Sequence, residues 1–522
     1  MNLKVVLYDT TLRDGAQSEG ISFSVQDKLD ILTELDRFGM DFVEGGWPGS
    51  NPVDTEFFSK AKDLNLSHAK LCAFGSTRRR GMKAEEDTNL RNIAGSGAEW
   101  ACIFGKTWDF HVEKALNISK EENLAIIKES IEFLVESGMK VMFDAEHFFD
   151  GFYSDGEYAM KAVSAAAEAG AEWIVLCDTN GGTLPDRIAD AVSAVKKNID
   201  AKIGIHCHND SELAVACSLA AVKAGAEMVQ GCVNGIGERT GNANMCSIIP
   251  NLMLKMGRNT NVKDLSKLTE LSKYVGEVSN TVPPSSMPYV GEKAFAHKGG
   301  MHVSALAKDS RTYEHINPET VGNRRRVLVS DMSGRASISE KLKELGITEE
   351  GCDSELITAT VKELESKGYQ FEGADASFEL LVKRLRKEAE PHFTIAGFRL
   401  FIDETENGKL ISEASIKVKD REGNIEHTAS DGDGPVNAMD NALRKALSKF
   451  YPVLNSIRLS DYKVRVLDEK AATAAPVRVL IRSTDGNESW TTVGVSENVI
   501  EASLIALVDS LEYAIALSER KG

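Results

Sequence analysis

The first half of the chain repeats one pattern of polar and apolar positions: a helical stretch ends in glycine, one or two residues follow, and a short apolar run comes next. The copies read FGMDFVEGG (38–46), SGAEWACIFG (96–105), SGMKVMFDAE (137–146), AGAEWIVLCDTN (169–180) and AGAEMVQGCVNG (224–235). Gly39, Gly97, Gly138, Gly170 and Gly225 take the position just past each helix, where a left-handed backbone ends it. LKVVLYDTT (3–11), AKLCAFGST (69–77) and AKIGIHCHND (201–210) bring the predicted strands to eight, each followed by a helix-length segment. Such alternation predicts a parallel sheet, and eight units predict closure into a (β/α)8 TIM barrel.

The pattern changes after residue 277. NTVPPSSMP (280–288) breaks the chain, and helical stretches such as SGRASISEKLKELGI (333–347) and ASFELLVKRLRKEAE (376–390) follow. From about 391 strands dominate, and GNIEHTASDGDGPVNAMDNALRKAL (423–447) parallels GNESWTTVGVSENVIEASLIALVDSL (486–511), each a strand pair running into an amphipathic helix. The expected organisation is a barrel over 1–277, helical linker subdomains over 278–390, and a C-terminal α+β domain over 391–522 with an internal pseudo-twofold duplication. The loop SDGDGPVNA (430–438) feeds a helix N-terminus whose free N–H groups suit a carboxylate.

Composition narrows the function. A length of 522 residues is too great for one core. A net charge of -18 argues against nucleic-acid and anionic-membrane partners, though not against a local basic pocket for a phosphorylated cofactor. RRR at 78–80 and again at 324–326 reads as a solvated loop in each case. The 8 cysteines show no C-x-x-C pair and interrupt apolar runs, so they read as reduced core residues. With no signal-peptide pattern in MNLKVVLYDTTLRDG and no membrane-length apolar run, a cytoplasmic protein is expected.

Nearly every predicted strand ends in residues that can do chemistry: Asp9 with Arg13 and Asp14, Glu44, Ser76, Lys106, Glu146, Asp178 with Thr179, His206 with His208, and Asn234. In a closed barrel these ends converge on one rim. His206 and His208 share a strand face, and Asp14 comes from the neighbouring first strand. One carboxylate and two imidazoles with open positions suit a catalytic divalent metal, with Asn242 of NGIGERTGNAN (234–244) as a fourth, weaker oxygen ligand. Mn, Mg, Co and Zn all fit that donor set.

LRDGAQ (12–17) with Lys28 beyond it, HCHND (206–210) and GIGERTGNAN (235–244) together resemble the isopropylmalate synthase and homocitrate synthase family of acetyl-CoA-dependent condensing enzymes. DTTLRDGAQSEGISFSVQDKL (9–29), VEGGWPGSNPVD (43–54) and HKGGMHVSALAKD (297–309) resemble its pyruvate-using branch. The chain departs from the family pattern at Glu212, at HVSA (302–305) and in the EGGWPGSNP form of the second strand end. The resemblance implies condensation of acetyl-CoA with pyruvate to citramalate, thioester hydrolysis, entry into isoleucine synthesis, isoleucine as allosteric inhibitor, and a homodimer. It makes Glu146 and His302 the candidates for removing the acetyl proton, with Tyr313 assisting later steps. Arg13 would meet charge on the oxoacid oxygen, Thr179 would bond its carboxylate, and Glu44 would position substrate or arginine. Use of 2-oxoisovalerate, as in isopropylmalate synthesis, stays open, as do a metal-dependent carbon–carbon lyase and a hydrolase on the same barrel.

Overall fold

The computed structural model describes residues 4–329, 335–348, 353–386, 390–404, 408–467 and 475–521. Eight parallel strands close into a barrel in sequence order: β1 (Val6–Asp9), β2 (Phe42–Gly46), β3 (Lys70–Ser76), β4 (Trp100–Lys106), β5 (Lys140–Glu146), β6 (Trp173–Asp178), β7 (Lys202–Cys207) and β8 (Met228–Gly231). β1 pairs with both β2 and β8, which closes the ring. All five glycines of the repeated pattern have positive φ, from 83° at Gly97 to 118° at Gly225. The helix Val25–Phe38 shows why one is needed: it starts on a reciprocal Ser24–Asp27 capping box and stops at Gly39, where a Cβ would lie 2.3 Å from the Asn261 carbonyl oxygen.

Strand parity separates two layers. Val141, Phe143 and Ala145 of β5 pack outward with the helices, as do Ala101 and Ile103 of β4. Met142, Trp100 and Cys102 join Tyr8, Phe42, Cys72 and Trp173 in a second cluster that fills the barrel interior. Asp144 and Glu146 follow Met142 at the same parity, so a plug of apolar side chains gives way to polar ones toward the carboxyl ends. Seven cysteines are free and buried, as the composition implied; Cys352 lies outside the described residues.

The chain divides into two compact units, Met1–Phe295 with Ile316–Arg324, and Ala296–His315 with Arg325–Gly522. The second contains the helices Arg335–Glu344 and Asp375–Arg386, within the helical stretches read from sequence except where these run into residues outside the described ones, and a further helix, Ser354–Ser366, between them. It also contains the duplicated module: antiparallel strands Phe393–Glu404, Leu410–Asp420 and Ile425–Gly432 with helix Pro435–Leu447, then Arg458–Val466, Val477–Thr484 and Ser489–Ser496 with helix Val499–Lys521. Among the described residues no helix is long and apolar enough to cross a membrane.

Candidate active site and metal centre

His206 lies near the end of β7, and His208, two residues on, faces the same way. The backbone of His208 bridges to Asn242, and Ala243 N–H donates to the Cys207 carbonyl (2.9 Å), so the loop after β8 is laced to β7. Gly237, at φ 153°, lets that loop close: a Cβ there would lie 2.2 Å from Asn242 Nδ2. Asp14 enters from the turn after β1, where Gly15 N–H donates to the Thr10 carbonyl (3.0 Å). The result brings Asp14 Oδ2 within 3.6 Å of His206 Nε2 and 3.8 Å of His208 Nε2, with the two nitrogens 3.3 Å apart. All three side chains are buried.

Their protonation states follow from their neighbours. Gln230 Nε2 donates to Asp144 Oδ1 (3.1 Å), which leaves Gln230 Oε1 as acceptor for His206 Nδ1 (2.9 Å). That contact engages His206 Nδ1 and orients the ring so that Nε2 is the nitrogen facing Asp14 and His208. Burial and the adjacent His206 push the His208 imidazole down to about 3, so it is neutral at pH 7. Burial alone would raise the Asp14 carboxyl, but Arg13, His206 and His208 hold it well below the usual carboxylate range. Asn242 Nδ2 donates to Asp14 Oδ1 (3.0 Å), while Asn242 Oδ1 is buried with no partner among the described residues. An anionic oxygen, two imidazoles and an orphaned amide oxygen are the donors a divalent cation needs.

Beside the triad, Arg13 Nε donates to Glu44 Oε2 (2.5 Å) and Nη1 to Asp14 Oδ2 (3.1 Å). Its guanidinium lies 3.7 Å over the Phe74 ring, and Tyr8 Oη donates to Glu44 Oε1 (2.8 Å). Glu44, Cys102 and Asp144 form a second buried set of ligand-type groups, but both Glu44 oxygens, Cys102 Sγ and Asp144 Oδ1 already have protein partners. Cys102 Sγ donates to Asp144 (3.1 Å), and the two Glu44 oxygens receive Tyr8 and Arg13. That set is a packed hydrogen-bond network.

Elsewhere on the rim, Glu146 forms an ion pair with Lys106. Thr179 Oγ1 accepts the His147 N–H (2.9 Å), which leaves its own O–H free to donate. Three rim residues serve the scaffold. Asp9 accepts from Thr11 N–H (2.9 Å) and Oγ1 (3.0 Å), Asp178 accepts from Thr183 Oγ1 (2.8 Å), and Asn234 is tied to Ser272. Reading the sequence did not single out Tyr8, Asp144 or Gln230. The available signal was parity, since Asp144 precedes Glu146 by two positions and Gln230 sits in register with His206.

The profile of the HMGL-like family matches residues 4–275, that of the homocitrate synthase post-HMGL domain-like family 289–369, and that of the LeuA allosteric (dimerisation) domain 372–515. The (R)-citramalate synthase of Aquifex aeolicus is 54% identical over 99% of this chain and 99% of its own. The chain belongs to the citramalate synthase branch of the isopropylmalate and homocitrate synthase family. A 2-isopropylmalate synthase of Methanocaldococcus jannaschii is 34% identical over 99% of this chain and 96% of its own. Among solved structures, the HMG-CoA lyase of Bacillus subtilis aligns at a TM-score of 0.47 and 23% identity, over 54% of this chain and 95% of its own. The homocitrate-synthase-type segment of this citramalate synthase family member carries His302 and Tyr313, which belong to the second compact unit and stack with ring centroids 4.0 Å apart. His302 lies on the short helix Gly300–Leu306, and Tyr313 is 46% exposed.

Proposed function

We propose that the protein condenses acetyl-CoA with pyruvate and hydrolyses the condensed thioester, yielding citramalate and free CoA. The observation that carries this reading is the buried Asp14–His206–His208 triad with the Arg13 guanidinium against it. These three groups and Asn242 would hold a divalent cation, which would supply Lewis-acid polarisation of the oxoacid carbonyl. Arg13 stabilises the negative charge that develops on the keto oxygen as the new carbon–carbon bond forms. Its planar fork is already fixed by Glu44 and Phe74, so no reorganisation is needed during the reaction. Thr179 donates its free hydroxyl to the oxoacid carboxylate. Glu146 and His302 are the groups assigned to take the proton from the acetyl methyl carbon; imidazole suits a base working near neutrality. Tyr313 assists the later proton transfers. Water then cleaves the thioester, leaving a carboxylate and the CoA thiol.

Pyruvate fits a chamber reduced by aromatic packing. Trp47 meets Phe74 and Phe104 edge-on, both at 5.8 Å, and Phe74 and Phe104 stack at 5.5 Å beside Arg13. That wall leaves less room for a branched side chain such as that of 2-oxoisovalerate, and the greater identity to an (R)-citramalate synthase than to a 2-isopropylmalate synthase supports the same choice. The match to a LeuA allosteric (dimerisation) domain supports regulation, here by isoleucine, and a homodimer; the exposed Phe398, Phe401, Ile402 and Leu410 on its first sheet support the homodimer.

Thiol release from acetyl-CoA across pyruvate, 2-oxobutyrate, 2-oxoisovalerate and 2-oxoglutarate, each with and without EDTA, tests the reading. The expected result is a signal greatest with pyruvate and abolished by EDTA. No thiol release with any oxoacid in metal-supplemented protein would overturn it.

A further inference from the structure

Beside the oxoacid chamber, at the carboxyl ends of β3 and β4, lies a cavity of about 560 Å³ lined by Arg78, Arg79, Arg80, Phe104, Lys106 and Ile118 among others. In a chain of net charge -18, four cations at one cavity are a local inversion. The backbone that carries them is pinned: Arg78 N–H donates to Ser130 Oγ (2.9 Å) and Arg79 N–H to Asp87 Oδ2 (3.0 Å). Arg78 spends its charge on Glu129 (2.7 Å) and Lys106 on Glu146. Arg79 and Arg80 have no carboxylate partner among the described residues; Arg80 donates to neutral acceptors, the carbonyls of Leu116 (3.0 Å) and Asn117 (3.3 Å). Asn117, at φ 53°, ends the single π-helical turn Val112–Leu116 that turns those carbonyls toward Arg80. Two uncompensated guanidiniums on a fixed loop, over a wall of Phe104, Leu116, Ile118 and Ile126, match a ligand with phosphates at one end and an aromatic base beside them.

The cavity shares Phe104 with the oxoacid chamber, and through Phe104 and Phe74 its wall continues to the Arg13 guanidinium. We propose that this cavity holds the nucleotide end of the acyl-thioester co-substrate, with Arg79 and Arg80 on its phosphates and the acyl end passing Phe104 toward Arg13. The proposal rests on the condensation reading above and assigns RRR 78–80 a ligand in place of a purely solvated role.

The test is Arg79→Glu, chosen because the Arg79 side chain is exposed and its backbone contact survives the substitution. With acetyl-CoA, KM is expected to rise about 10-fold or more, the equivalent of one lost charge-assisted contact, while kcat and KM for pyruvate stay within about twofold. With the phosphate-free analogue S-acetylpantetheine, wild type and variant should behave alike. Adenosine 3′,5′-bisphosphate should compete with acetyl-CoA on the wild type and bind the variant correspondingly more weakly by calorimetry. An unchanged KM for acetyl-CoA, or an equal loss with S-acetylpantetheine, would overturn the proposal. A wild type that releases no thiol with any oxoacid overturns the condensation reading instead. In that case bisphosphate binding that differs between wild type and Arg79→Glu still supports the cavity as a phosphate site, and equal or absent binding removes it.

Discussion

Two histidine–carboxylate constellations, one in each unit, use similar residues to opposite ends. In the second unit, His392 Nδ1 meets Glu512 Oε1 (2.7 Å), its Nε2 meets Glu519 Oε2 (3.0 Å), and its backbone N–H donates to Glu512 (3.0 Å). Its carbonyl accepts from Tyr451 Oη (2.7 Å), so both of its ring nitrogens and both backbone groups are spent. In the barrel, the Nε2 atoms of His206 and His208 face each other, and among the described residues Asn242 Oδ1 and His208 Nδ1 are buried without partners. One imidazole and two carboxylates make a clamp in the first case; in the second, two imidazoles and one carboxylate converge beside unpartnered acceptors, the arrangement proposed above to hold a cation. What distinguishes a site from a strut is unspent lone pairs in a buried place.

The contrast is broken most directly at Asp14. Asp14→Asn keeps the shape and removes the anionic oxygen, so bound divalent metal by elemental analysis and thiol release should both fall to background while circular dichroism stays that of the folded protein. Retained metal would show that the triad is a strut after all. Next in size is Arg13→Lys, which keeps the charge and loses the fork that Glu44 and Asp14 hold. kcat should drop by roughly 10²- to 10³-fold with metal content unchanged. Gln230→Leu cuts the relay from Asp144 to His206 without touching a ligand. Metal affinity, read by competition with a chelating dye, should weaken roughly 10- to 100-fold, and excess metal should restore much of the rate.

The same contrast shows what could be read from sequence and what could not. The five chain-reversing glycines, the eight strands and the H-x-H on β7 are local patterns, so each is visible in a window of about ten residues. Asp14 became a ligand candidate only through barrel closure, and the expected adjacency is corrected by the topology: β1 pairs with β2 and β8, so it stands one strand away from β7 and Asp14 reaches the histidines from the turn after β1. Asp144 and Gln230 are 86 residues apart and become partners only inside the barrel. A lone polar residue in an apolar strand does not reveal which way parity turns it. Asn234 illustrates the opposite error: it follows β8 as a rim residue should, but its φ of 61° directs it into hydrogen bonds with Ser272. The aromatic wall behind Arg13 was legible in part: Trp47 and the bulky residues of the third to fifth strands are the sequence candidates for filling the oxoacid pocket, but that Trp47, Phe74 and Phe104 meet is not readable, since they come from three strand ends with no shared spacing.

On the clamp side the expected effects are smaller and purely structural. His392→Leu leaves the buried Glu512 without its nearest partner and should cost about 1–3 kcal/mol. Thermal unfolding followed by amide exchange in the helix Val499–Lys521 would register that loss, with metal content and kcat unchanged. A loss of bound metal in this variant would break the comparison, because it would make the clamp part of the metal centre.

The smallest effect is a pH dependence, and its sign follows from the charges that face His392. Burial works to lower its pKa, but Glu512 and Glu519 outweigh burial and the opposing Arg421, so the folded value lies above the ordinary 6.5. The folded state then holds the proton more tightly than the unfolded chain does. Stability from this source is fully present below pH 6.5 and is lost as pH rises through the folded value. The gap in melting temperature between wild type and His392→Leu should therefore be widest near pH 6 and narrow toward pH 9, since deprotonation strips the clamp of its charge in the wild type alone. A gap that stays constant or widens with pH would mean that His392 is held as a neutral hydrogen-bonding ring, and the charge difference between clamp and metal centre would disappear with it.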